Sequence, residues 1–65
     1  MPDIIYIYKA RCSSYDSRRQ VVVLAFEGGA TVTVSTEIVQ APYLSAGQKV
    51  RVRCDEQGKI KSVSP

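Results

Sequence analysis

Sixty-five residues make one domain, 1–65, whose single core supplies only about 3–5 kcal/mol unless a metal, a disulfide or self-association adds to it. The net charge is a mild +3 and there is no His. That removes the usual general acid–base near neutral pH and, with Cys12 and Cys54 too far apart for a C-x-x-C half-site, any zinc-type centre.

The apolar runs Ile4–Tyr8 and Val21–Phe26 fall far below the ~20 residues that span a bilayer. No basic, apolar leader follows Met1-Pro2-Asp3, so the expectation is a cytoplasmic chain with reduced thiols and no membrane contact. Self-association is then the expected source of extra stability, a homodimer or higher form.

Hydrophobic periodicity is two almost throughout, the mark of strands. Residues 3–11 are β-branched and aromatic and predict a first strand. Residues 12–19 are polar and rich in Ser and Asp, and predict a loop. Residues 20–26 read as a second strand, and Gly28-Gly29 supplies the positive φ of a tight hairpin into a third strand, 30–35. Within it Val32 and Val34 share one face and Thr31, Thr33 and Ser35 the other.

Ser35 or Thr36 is placed to cap one helical turn over 37–40, ended by Pro42. The turn Leu44–Gln48 leads into a fourth strand, 49–54, with Val50, Val52 and Cys54 inward and Lys49, Arg51 and Arg53 outward. Asp55–Gly58 makes a four-residue hairpin into a last strand, 59–64. Strand, loop, hairpin, helical turn, hairpin is an all-β plan: a small five-stranded OB-like barrel, with an SH3-like barrel as the alternative.

The stretch Tyr43-Leu44-Ser45-Ala46-Gly47-Gln48-Lys49-Val50-Arg51-Val52, then a Gly-containing turn and Ile60-Lys61-Ser62-Val63, resembles the last two strands of OB-type barrels such as cold-shock and S1-like domains. The resemblance covers the last third of the chain and implies the barrel. The aromatic RNA-binding motifs that cold-shock proteins carry on strands two and three are missing.

No nucleophile elbow, phosphate loop or catalytic carboxylate pair is present, so the chain reads as a non-enzyme without cofactor. The whole charge excess lies in residues 49–61; residues 1–48 balance. In an OB barrel strand one pairs with strand four. If Ile5 and Ile7 point inward, Tyr6 and Tyr8 share the outer face with Arg51 and Arg53, near Lys9, Arg11 and Lys49. Rings beside guanidinium groups suit single-stranded nucleic acid. The competing reading turns both rings to the core or to a partner. Tyr15, Arg18 and Arg19 repeat the pattern on the first loop, which OB barrels use to grip oligonucleotides.

Strand two is apolar on both faces. With Val22, Leu24 and Phe26 toward the core, Val21, Val23 and Ala25 form an outer stripe that is either an interface with another protein or copy, or is covered by Ala41–Leu44. The reading is a binding module for single-stranded nucleic acid, or alternatively a protein-interaction module docking through that stripe.

Overall fold

Gly28 and Gly29 take φ of +91° and +92°, a region that side chains rarely enter. They turn β2 (Val21–Phe26) into β3 (Thr31–Ser35), closed by the Phe26 N–H donating to the Ala30 carbonyl at 2.8 Å. In this computed structural model, which describes residues 6–65, that hairpin is one flank of a curled half-barrel. Its other strands are β1 (Tyr6–Asp16), β4 (Lys49–Cys54) and β5 (Ile60–Ser64). The order across the sheet is β3-β2-β1-β4-β5, and every ladder in it is antiparallel. The expected positions 3–5 of the first strand, Ile5 among them, lie outside the described residues.

The expected loop over 12–19 is overturned for its first half: β1 runs on to Asp16. The polarity there belongs to the outward positions of a paired strand, since Ser14 lies opposite Val23 and Asp16 opposite Val21, while Tyr15 lies opposite the buried Val22. A bulge between Cys12 and Ser14 absorbs one residue of β1. What remains is a tight turn, with Asp16 Oδ1 accepting from the Arg18 and Arg19 N–H groups at 3.0 and 3.1 Å.

The single helical turn is present as a 3-10 turn, Thr36–Ile38, with the Ser35 hydroxyl accepting from the Glu37 N–H at 3.2 Å. Beyond it Val39 forms a parallel bridge with Val63, and the Gln40 N–H donates to the Val63 carbonyl at 2.8 Å. This segment brings Ile38, Val39, Ala41 and Leu44 against the sheet. Leu24, Leu44, Val22, Val52, Val63 and Cys12 are sealed completely.

Val50, Val52 and Cys54 face inward, as alternation requires. Asp55–Gly58 closes on Asp55, whose Oδ1 accepts from the Gln57 and Lys59 N–H groups, both at 2.9 Å.

The ladder keeps Cys12 and Cys54 far apart, although both lie on paired strands. Cys54 lies opposite Tyr6, whereas the Cys12 N–H donates to the Gln48 carbonyl. Six residues of strand separate those positions, roughly 20 Å at ~3.3 Å per residue. A disulfide needs Cα atoms within about 7 Å. Both thiols are unpaired and buried.

Candidate nucleic-acid interface

Parity along β1 and β4 decides which side chains meet. Ala10 and Cys12 are buried, so the even positions of β1 face the core and Ile7, Lys9 and Arg11 face out. The ladder sets Lys9 opposite Arg51, Arg11 opposite Lys49, and Ile7 opposite Arg53. Directly opposed residues lie about 4.5–5.5 Å apart, and steps of two advance about 7 Å. Five cations therefore share one patch of the outer face.

Among the described residues no carboxylate is ion-paired to these cations. The ion pairs among the described residues are Arg19–Asp16 and Lys61–Asp55, both 3.8 Å; neither involves this patch. Arg11 Nη1 donates to the Gly47 carbonyl at 3.3 Å, and Arg53 Nη1 donates to the Ser64 hydroxyl at 2.6 Å. Arg53 is thereby half-buried, while Lys9, Arg11, Lys49 and Arg51 are exposed. These four, with Ala25 and Glu27, line an open groove of about 560 Å³.

Tyr6 and Tyr8 are not in this patch, and the expected juxtaposition with Arg51 and Arg53 is corrected. They lie opposite Cys54 and Val52, on the core face. Ile7 takes the outer position instead and is 60% exposed. The signal was available in the small residues Ala10 and Cys12, which share the tyrosines' parity. The rings are still accessible, 46% and 48% exposed, because the half-barrel is open at that end. They stand 6.3 Å apart at 31°. Beside them Tyr8, Phe26, Val32, Cys54 and Ile60 line an apolar hollow of about 290 Å³.

Arg18 and Arg19 project from the β1–β2 turn, beyond Asp16. Five residues of β1 separate Arg11 from Asp16, about 17 Å. They are outside the patch, as is Tyr15. The Tyr15 ring packs on the core, and its hydroxyl donates to the Pro42 carbonyl at 3.1 Å. Tyr15 meets Tyr43 edge-on at 5.2 Å.

Val21, Val23 and Ala25 are half-buried on the outer face, beside Ser35, Thr33 and Thr31. The alternative in which Ala41–Leu44 covers them is not what the chain does, because Ala41 and Leu44 pack into the core.

Burial pushes the Cys12 thiol above its ordinary pKa; burial first, and then the Asp55 carboxylate, do the same to Cys54. Neither is an activated nucleophile, which needs a lowered pKa. Among the described residues no three acidic or Cys side chains gather as metal ligands, and no helix is long and apolar enough to cross a membrane. No family model matches the chain, and no curated protein or solved structure does so either.

Proposed function

We propose that this chain is a non-catalytic binding module that holds single-stranded nucleic acid by its phosphates along the outer face of β1 and β4. One observation carries the reading: Lys9 opposite Arg51 and Arg11 opposite Lys49. Like charges directly opposed in a sheet cost stability. A small domain with little stability to spare retains such pairs where an anionic ligand offsets them. Lys49, Arg51 and Arg53 repeat every ~7 Å along β4, close to the spacing of phosphates on an extended strand.

An OB-type plan is supported by β1 pairing with β2 on one side and β4 on the other, and by the parallel bridge between Val63 of β5 and Val39, just past the 3-10 turn that follows β3. A single strand is favoured over a duplex by the open barrel end. There Arg53 on the outer face and Tyr6 on the core face belong to adjacent ladder positions. A flexible strand leaving the cations can turn over that end and stack a base on Tyr6 or Tyr8, for ~1–3 kcal/mol. A cytoplasmic location accords with this reading, since two separated, buried thiols gain nothing from an oxidising compartment.

A second reading, docking to a protein through Val21, Val23 and Ala25, rests on their half-exposure beside the uncharged side chains of β3. Salt separates the two. Anisotropy of a labelled oligonucleotide should give log affinity falling with log salt by about 0.7 per phosphate contact. Lys9→Ala with Arg51→Ala should flatten that slope by roughly 1.4. No binding at low salt would overturn the nucleic-acid reading.

A further inference from the structure

A half-barrel leaves two strand edges, and this chain treats them differently. On β5, Lys61 occupies a bulge opposite Arg53 and Cys54, Lys59 precedes the strand and Pro65 follows it. The far end of the same edge is occupied by Val39 and Gln40. Lysine, bulge, proline and a covering segment are the known ways of blunting an edge. On β3 none of them is present among the described residues: Thr31, Thr33 and Ser35 alternate with Val32 and Val34, without charge, proline or bulge.

The hydrogen bonds of the hairpin fix which backbone groups that edge offers. Phe26 N–H donates to the Ala30 carbonyl, and Thr36 N–H donates to the Gln20 carbonyl at 3.0 Å. Between these ends Leu24 pairs with Val32 and Val22 with Val34. Hydrogen-bonded positions alternate in an antiparallel ladder. So Val32 and Val34 turn their N–H and C=O groups toward β2, while Thr31, Thr33 and Ser35 turn theirs away.

We propose that two copies of this chain pair through β3, antiparallel and with Thr33 on the two-fold axis. In that register Thr33 meets the partner's Thr33, and Thr31 meets the partner's Ser35. Each such pair exchanges two backbone hydrogen bonds. Charge selects a second copy as the occupant. The two-fold pairs Thr33 with itself, Thr31 with Ser35 and Val32 with Val34, so every pair along β3 is uncharged and matched in polarity, whereas β5 carries Lys61.

The neighbouring acid, Glu37, lies in the 3-10 turn beyond β3, outside the paired segment. On the core side Val32 comes opposite the partner's Val34, covering two valines that are half-buried in the single chain. On the outer face Val23 flanks Thr33 in each copy, so the apolar stripe of β2 continues into the same interface.

Sedimentation across micromolar concentrations should give twice the chain mass of 7.2 kDa. Thr33→Lys and Thr33→Glu should each sediment at the single-chain mass with a native circular-dichroism spectrum. Mixed in equal amounts they should regain the doubled mass, since opposite charges then meet on the axis. Amide hydrogen exchange reads the backbone itself. In the unmodified protein the Thr31, Thr33 and Ser35 amides should be slow, and in Thr33→Lys fast, with the Val32 and Val34 amides slow in both. A monomeric native chain, a mixture that stays monomeric, or fast Thr31 and Thr33 amides in a dimeric sample would each overturn the proposal.

Discussion

Lys9 stands directly opposite Arg51 in the β1–β4 ladder, two cations where sheet energetics favours unlike charges. Lys9→Glu should therefore stabilise the fold by about 0.2–1 kcal/mol, raising the melting temperature by a few degrees in a domain of this size. The gain should shrink in high salt, where exposed charges are screened. The same variant should bind oligonucleotide less well. Thermal melts at low and high salt, paired with a binding titration, check both halves.

Leu24, from β2, and Leu44, from the segment between the 3-10 turn and β4, are fully buried in the same core. Truncation of either to Ala should cost about 2–5 kcal/mol, as much as the whole stability expected of a chain this short. Urea titration should find Leu24→Ala and Leu44→Ala largely unfolded without denaturant. Tyr8→Ala, at a half-exposed position, should remain folded.

Ser62 is buried, and its hydroxyl has no hydrogen-bond partner among the described residues. A buried polar group left unpaired costs about 1–3 kcal/mol. Ser62→Ala removes the group and almost no volume, so it should leave stability unchanged or raise it by about 1 kcal/mol. A shift of the urea midpoint to lower concentration would contradict this.

Cys12 and Cys54 both have folded-state pKa values raised by burial. The unfolded thiol therefore loses its proton first, and the unfolded state binds fewer protons in the alkaline range. The thiols' contribution to stability is fully present below the unfolded value of about 8.5 and is lost as pH climbs through the folded values. Denaturation midpoints should fall above about pH 8.5, and Cys12→Ala with Cys54→Ala should weaken that fall. Native protein should react slowly with a thiol reagent, and unfolded protein fast.

Most of the strand pattern was legible because alternation and turn chemistry agree. Val50 and Val52 against Arg51 and Arg53, Gly28-Gly29 in a tight turn, and Ser35 as a cap are each local signals that packing then respects. The aromatic half of the candidate site was not legible in the same way. Whether Tyr6 or Ile7 faces the core depends on where β1 meets its partners, and Ile-Tyr-Ile-Tyr is equally apolar on both parities. The phase was set further along, at Ala10 and Cys12, two small residues that propensity barely distinguishes. Serines 13 and 14 concealed the rest of β1, because a paired strand with a bulge has the composition of a loop.

The bulge between Cys12 and Ser14 has a consequence for how this chain tolerates changes in length. Before it the even positions of β1 face the core, and after it the odd position Tyr15 does. Removal of Ser13 would restore unbroken alternation and leave Tyr15 and Asp16 on their present faces. What the deletion would take away is the local bend and added twist that a bulge gives its strand. One residue thus acts as an adjustable joint, setting the curvature of the central strand independently of which side chains it buries.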